Sequence, residues 1–159
     1  MKNILKLSLA AVAISALAAC GGGGSSDSAD TYVGAWKSGC TSYTGNDGNT
    51  YYNTSVMNLA KASASELAGT YTNRTAYADS GCKNALGAIT NYGAMKLNIG
   101  AKTTFLGAQV DAMVFTLLAT GEARPGFINA DSTKLNLVVV NNDGSAPSGW
   151  GAASPYTKQ

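Results

Sequence analysis

Few side chains in this sequence could perform acid–base or nucleophilic chemistry. The chain has no histidine, so it lacks the imidazole that activates serine and cysteine nucleophiles and that commonly binds metals. Carboxylate pairs could in principle hydrolyse glycosides, but no spacing in the sequence places two of them on one face of a cleft. The carboxylates considered are Asp79, Asp111, Glu122 and Asp131. The sequence therefore disfavours an enzyme and predicts no cofactor.

Two oxygen-rich stretches are the remaining candidates for a metal site. They are Asn46, Asp47 and Asn49 in one place and residues 141–143 in another. Neither stretch supplies the regular ligand spacing and the closing glutamate of an EF-hand. Asn and Asp also favour turns, because their side chains bond to the nearby backbone. We interpret both stretches as turns and predict no metal site.

The first of the three cysteines stands at a sharp border in the sequence. Cys20 ends an apolar run, residues 7–19, that follows Lys2 and Lys6. A basic start and an apolar run of this length are typical of a secretory signal, and the run is shorter than the roughly 20 residues of a spanning helix. Residues 1–19 are therefore predicted to be a cleaved signal peptide.

The residues at this border, Leu17-Ala18-Ala19-Cys20, resemble the lipobox of bacterial lipoproteins. The resemblance implies that Cys20 is acylated and becomes the first residue of the mature chain. Several acyl chains, at about 0.8 kcal/mol per methylene group, would hold the protein on a membrane without a helix. Gly21 is not the aspartate associated with inner-membrane retention, so the resemblance implies the outer membrane, at its periplasmic face or exposed on the cell surface. An ordinary secretory signal followed by an unrelated cysteine is the alternative.

Residues 20–30 contain the cysteine and a stretch rich in glycine and serine. Ten residues of this composition form a flexible tether with a root-mean-square reach of about 17 to 19 Å. Such a tether would let a folded domain stand off the membrane.

The other two cysteines, Cys40 and Cys82, remain as a pair once Cys20 is assigned to acylation. The compartment implied by a secretory signal permits disulfides. We predict a Cys40–Cys82 disulfide that stabilises the fold by about 4 kcal/mol in the chain-entropy model. Two separate buried thiols are the alternative.

The charge of the mature chain disfavours polyanionic partners. Of the 11 basic residues, Lys2 and Lys6 lie in the predicted signal peptide, which leaves 9 against 9 acidic residues. The remaining basic residues are spread singly along the chain, and no cluster could follow a phosphate backbone. We predict no nucleic-acid binding and a membrane contact through the lipid alone.

Residues 31–145 have the pattern of an antiparallel β domain. Apolar residues alternate with polar ones over 95–99 and 133–139, and more weakly over 67–77. Residues 110–118 are apolar on both faces and suit a central strand better than a short helix, whereas 60–67 suit a strand end and turn better than a helical turn. Turn residues between these stretches predict six to nine short strands in a small barrel or sandwich. Residues 146–159 are predicted to be irregular, with Trp150 folded over an apolar patch.

A second resemblance begins at Tyr32. Tyr32-Val33-Gly34-Ala35-Trp36 contains the G-x-W arrangement found at the head of the first strand in lipocalin-like barrels. The resemblance implies a lipocalin-like barrel in which Trp36 plugs the closed end. No second lipocalin motif accompanies it, and the short predicted strands leave less room for a ligand than a full calyx.

These observations favour a lipid-anchored binding or structural module for a small apolar ligand or an envelope protein. Its predicted interior carries Met95, Leu97, Ile99, Leu135 and Leu137. One alternative is a barrel-type inhibitor of an enzyme, acting through a projecting loop such as 43–49. A third possibility, an enzyme, is disfavoured by the missing histidine. Tyrosines in or beside the predicted strands suit a recognition surface as well as an ordinary sheet; they are Tyr43, Tyr51, Tyr52, Tyr71, Tyr77 and Tyr92.

Overall fold

A computed structural model describes residues 28–90, 93–151 and 153–159 of the chain. The predicted signal peptide, Cys20, most of the predicted tether and Tyr92 lie outside these residues. Within them, no helix is long and apolar enough to cross a membrane. The described residues form a 3₁₀ helix, Ser28–Tyr32, and ten strands. The strands are β1 Gly34–Ser38, β2 Thr41–Thr44, β3 Thr50–Lys61, β4 Glu66–Tyr77, β5 Ala85–Thr90, β6 Gly93–Phe105, β7 Ala108–Leu117, β8 Ala123–Ala130, β9 Lys134–Val139 and β10 Tyr156–Lys158.

Eight of these strands close into an antiparallel barrel. Around the ring the order is β1, β3, β4, β6, β7, β8, β9 and β10, and β10 pairs back to β1. The strands therefore run up and down in chain order, and full closure leaves no unpaired edge in the ring. The all-β prediction is confirmed, and the structure is a barrel rather than a sandwich.

Beyond the barrel, four strands continue as an extension, formed by β2, β5, residues 50–55 of β3 and residues 72–77 of β4. β2 pairs with the same edge of β3 that β1 uses lower down, and β5 likewise continues the edge of β4 that β6 uses. A bulge between Thr54 and Val56 marks the junction. Because β3 and β4 serve both parts, each has 12 residues, which is longer than the short strands that the sequence predicts.

The predicted disulfide between Cys40 and Cys82 is confirmed. The two Cα atoms are 5.8 Å apart and the cysteines are separated by 42 positions in the chain. Cys40 lies between β1 and β2, and Cys82 lies in the turn between β4 and β5. The Asp79 carboxylate accepts backbone N–H groups of this turn, and these hydrogen bonds, the one from Asn84 first, lower the pKa of Asp79. The disulfide thus links the two outer sides of the extension near the barrel mouth.

One end of the barrel is filled by the 3₁₀ helix and a fully buried tryptophan. The indole of Trp36 donates a hydrogen bond to the Tyr32 carbonyl oxygen, at 2.8 Å. The Tyr32 hydroxyl donates to the Asp111 carboxylate at 2.6 Å, and Lys102 pairs with the same carboxylate at 2.8 Å. Burial, followed by this hydrogen bond, raises the pKa of Tyr32 far above its ordinary value. This end, called the closed end below, is therefore sealed by packed and hydrogen-bonded groups.

A second apolar cluster lies apart from the barrel interior. Trp150 packs edge-on against Phe105 at 5.1 Å, and Phe105 stacks on Phe127 at 4.6 Å. Val110 and Val138 complete the cluster. Trp150 therefore does fold over an apolar patch and fixes the connection between β9 and β10 to the barrel.

The segment 146–159 is more ordered than its sequence predicts. Residues Tyr156–Lys158 form β10, which pairs with both β1 and β9. A strand of three residues is too short to show a period of two, so the sequence contains no signal for it. Two other predictions are confirmed: 110–117 lie in β7, and 60–67 contain the end of β3, a turn at 62–65 and the start of β4.

Candidate functional site

A cavity of about 540 Å³ opens at the end of the barrel opposite the 3₁₀ helix. We call it the end cavity. The chain reaches this end where β7 finishes and β8 begins, and again where β9 finishes. Its lining consists of Met57, Tyr71, Phe115, Leu117, Glu122, Arg124, Leu137, Val139 and Tyr156.

The cavity exists because the inward side chains of the same strands are packed only in the lower part of the barrel. On β9, Leu135 is fully buried in the core, whereas Leu137 and Val139 are partly buried and line the cavity. On β7, Met113 lies in the core and Phe115 lines the cavity. Inward residues alternate along a strand at a period of two. Along β7 and β9, the inward positions therefore change from packed core near the closed end to cavity lining near the mouth.

The two charged groups of the lining form an ion pair at the rim. The Glu122 carboxylate oxygen Oε1 accepts a hydrogen bond from Nε of Arg124 and forms an ion pair with Nη2 of the same guanidinium. Arg124 lies on β8 directly opposite Phe115 of β7, which also lines the cavity. The two side chains are 35% and 45% exposed for Arg124 and Glu122 respectively. The lining is thus apolar and aromatic inside and charged at the mouth.

Shallower clefts continue the polar rim on the outside of the mouth. Arg124 borders two of them together with Val140, Asn141 and Asn142. Asp143 borders one of these clefts, and its carboxylate accepts the Ser145 backbone N–H at 2.9 Å. Arg124 therefore stands where the apolar cavity meets a polar surface.

Of the five interior residues that the sequence singles out, the structure places one in the end cavity. Met95, Leu97, Ile99 and Leu135 are buried in the packed core, and Leu137 lines the cavity. All five face inward, as the alternation predicts. The alternation defines which face of a strand a residue occupies and says nothing about whether the interior around that residue is filled. Met95, for example, lies directly opposite the lining residue Leu117 and is still fully buried in the core.

Sequence reasoning missed most of the lining. Met57 and Tyr71 lie on strands interrupted by polar residues, and Tyr156 lies on the three-residue β10. Arg124 carried a usable signal, because it is in phase at a period of two with Gly126 and with the fully buried Ile128. An arginine in phase with core residues at the start of a strand indicates a charged group at a barrel mouth.

The carboxylates considered for catalysis lie apart. Asp79 and Asp131 lie in turns, Asp111 is buried beside Tyr32, and Glu122 lines the end cavity. The Asp47 carboxylate is occupied by its own turn, since it accepts bonds from Asn49 and from the Tyr51 hydroxyl; these bonds, the one from Tyr51 first, lower the pKa of Asp47. Across the part of the chain that the structure describes, no group of three or more His, Cys, Asp or Glu side chains could hold a metal ion.

The tyrosines divide between the cavity and the extension. Tyr43 and Tyr51 face each other across β2 and β3 with ring centroids 5.7 Å apart. Tyr52 pairs in register with Tyr77 on β4. Tyr71 lines the cavity. The extension thus presents aromatic groups beyond the barrel mouth.

The fold and the cavity define a small up-and-down antiparallel β-barrel with an apolar pocket at one end. No known protein family, curated protein or solved structure gives a match to this chain.

Proposed function

We propose that this protein is a lipid-anchored lipoprotein of the bacterial cell envelope whose barrel binds a small apolar ligand. The observation that carries the proposal is the end cavity. Its volume of about 540 Å³ lies within the range of about 300 to 1,000 Å³ that is typical of small-molecule sites. Seven of its nine lining residues are apolar or aromatic. Such a lining favours a ligand with a hydrocarbon or aromatic body.

The proposed localisation, at the outer membrane through acyl chains, rests on the residues around Cys20. The first residues that the structure describes after Cys20 form the 3₁₀ helix, Ser28–Tyr32, at the closed end of the barrel. A tether attached at that end would leave the end cavity on the side away from the attachment point. This arrangement supports ligand entry from the aqueous compartment.

Replacing the proposed acylation site should detach the protein from membranes. In the Cys20→Ser variant we expect the loss of fatty-acid labelling and the appearance of the protein in the soluble fraction, because one hydroxyl cannot carry the thioether-linked lipid. Metabolic labelling with a fatty acid and membrane fractionation measure both effects. Ser26→Ala, just beyond the proposed acylation site and outside the disulfide, is the matched control and should keep its label. Continued labelling of Cys20→Ser would contradict the assignment.

Two leucines on β9 provide a matched test of ligand binding. Leu137→Phe adds volume inside the end cavity, so it should weaken uptake of an apolar fluorescent dye with little effect on stability. Leu135→Phe adds the same volume to a fully packed core, so it should cost about 1 to 3 kcal/mol through overpacking and leave dye affinity unchanged in the folded protein. Dye titration and denaturant unfolding of the purified Cys20→Ser chain, which needs no detergent, measure these effects.

The opposite pattern would contradict ligand binding in the end cavity. Equal dye affinity in the wild type and in Leu137→Phe would place the dye elsewhere on the protein. No uptake by the wild type would overturn the proposal as a whole.

The extension supports a second candidate function, recognition or inhibition of another protein through its loops. The turn between β2 and β3 is exposed at the tip of the extension, next to the stacked pair Tyr43 and Tyr51. Pull-down from detergent-solubilised envelopes tests it, with Tyr43→Ser/Tyr51→Ser compared against the wild type. A protein captured by the wild type and lost from this variant would favour the second function.

A further inference from the structure

Arg124 is a charged residue at an inward position of a barrel strand. On β8 it precedes Gly126 and Ile128 on the same face, and Ile128 is fully buried. Charged side chains at such positions are costly unless they are paired or reach water. Arg124 is 35% exposed and does both, since it pairs with Glu122 at the mouth. Its position fixes a positive charge at the entrance of an apolar cavity.

The pairing of Arg124 leaves most of its hydrogen-bonding capacity unused. A guanidinium has five N–H donors in a planar fork. Within the described residues, Glu122 is the only acid paired with it, and it accepts through the single oxygen Oε1. The remaining ion pairs among the described residues involve lysines and lie away from the cavity. They are Lys61–Asp30, Lys96–Glu66 and Lys102–Asp111. The guanidinium of Arg124 therefore has N–H donors at the cavity mouth that can bind a carboxylate.

The two partners of this ion pair are both fixed to β7 through their backbones, so the ion pair itself is a contact between side chains. Arg124 belongs to β8 and its backbone is in register with Phe115. Glu122 precedes β8 in the turn after β7, where its backbone N–H donates to the Thr120 hydroxyl and its carbonyl oxygen accepts the Leu117 N–H at 3.0 Å. Exposed ion pairs of this kind contribute little to stability, because water competes for both charges. An anion that enters the mouth can therefore compete with the Glu122 carboxylate for the guanidinium of Arg124, which lies at an inward position of β8 in phase with the buried Ile128.

The nearby carboxylate of Asp143 forms no ion pair with Arg124 among the residues that the structure describes. Asp143 borders a cleft that Arg124 also borders, but its oxygen Oδ1 accepts the N–H of Ser145 within its own turn. Hydrogen bonds from Ser145, the side-chain bond first, lower the pKa of Asp143. Asp143 is thus held as part of a turn at the rim.

From this geometry, and on the basis of the function proposed above, we infer that the ligand is an amphiphile with a carboxylate head group. Its apolar body occupies the end cavity beside Phe115 and Leu137. Its carboxylate takes the place of the Glu122 carboxylate on Arg124, at the rim where the lining changes from apolar to polar.

Matched twelve-carbon probes test the head group separately from the tail. Dodecanoate, dodecanol and dodecylamine compete with a bound fluorescent dye on the purified Cys20→Ser chain at neutral pH. We expect dodecanoate to bind most tightly. Arg124→Gln should weaken dodecanoate about 10- to 100-fold, which is the effect of losing hydrogen bonds to a charged group, and should leave dodecanol unchanged. Glu122→Gln should strengthen dodecanoate binding, because it removes the competing carboxylate.

Control variants and alternative outcomes keep the two proposals apart. Lys134→Gln removes one positive charge at the start of β9, near the closed end, and should not change any of the three affinities. Equal binding of dodecanoate and dodecanol, with no effect of Arg124→Gln, would overturn the carboxylate inference and leave apolar ligand binding intact. Tightest binding of dodecylamine, lost in Glu122→Gln, would also overturn it. Failure of all three probes and of the dye would overturn the proposed function as well.

Discussion

Replacing both Cys40 and Cys82 by serine is expected to lower the free energy of unfolding by about 4 kcal/mol. The disulfide closes a loop across 42 positions of the chain, and its loss restores the freedom of that loop in the unfolded state. Since small domains are stable by about 5 to 15 kcal/mol, the variant should lie near the limit of folding at physiological temperature. Denaturant unfolding of the double variant and of the oxidised wild type measures the difference.

The position of the disulfide also predicts which strands become less stable first when the bond is absent. Cys40 and Cys82 join the two sides of the extension, whereas the barrel ring is closed by its own strand pairs. Amide hydrogen exchange should therefore accelerate in β2 and β5 more than in β7 and β8. Reduced wild-type protein is the matched control, because it carries no substitution. Unchanged stability in both reduced protein and double variant would contradict a stabilising role for this bond.

Truncation of Trp36 to alanine is expected to destabilise the protein by about 3 to 5 kcal/mol. Trp36 is fully buried and packs in the same cluster as Tyr32 and Leu135, so its removal leaves a cavity that the sealed end cannot close. Trp36→Phe keeps most of the packing but leaves the Tyr32 carbonyl oxygen without its indole donor. We expect a smaller loss for Trp36→Phe, about 1 to 3 kcal/mol.

Comparison of the two Trp36 variants separates packing from hydrogen bonding. Denaturant unfolding measures both, and far-ultraviolet circular dichroism shows whether each variant still folds. Equal losses in Trp36→Ala and Trp36→Phe would mean that the hydrogen bond to Tyr32 dominates. A stability of Trp36→Ala equal to that of the wild type would contradict the role of Trp36 in filling the closed end.

The sequence predicts the class of fold because the alternating stretches are long enough to define a buried face. Residues 95–99 and 135–139 each show this alternation, and the structure turns the alternating apolar residues inward, whereas Val138 lies in the outer cluster with Trp150. The disulfide also follows from the sequence, since assigning Cys20 to acylation leaves a single pair. These two predictions depend only on the local spacing of apolar residues and on the number of cysteines.

The parts of the site that the sequence does not predict depend on the pairing of strands that are distant in the chain. In β3, the bulge between Thr54 and Val56 shifts the phase, and polar residues such as Asn53 and Ser55 are buried there, so no alternation is visible. Tyr156 becomes an inward residue only because β10 pairs with β1 and β9. The height of Leu135 and Leu137 within the ring is likewise set by the tilt and register of neighbouring strands.

The three-residue strand β10 implies an order of events during folding. Four of the eight neighbouring pairs in the ring are joined by short turns, namely β3–β4, β6–β7, β7–β8 and β8–β9, so their hairpins form from nearby segments. The pairing of Trp36 with Lys158 instead joins two distant parts of the chain, and such contacts form slowly because a long loop must close first. During synthesis the amino-terminal strands appear first, so β6 and β9, which contain Leu97 and Leu135, are available before β10. Their apolar inner face stays open until β10 pairs with β1 and β9. Between those two moments the unfinished ring exposes apolar side chains and is vulnerable to aggregation.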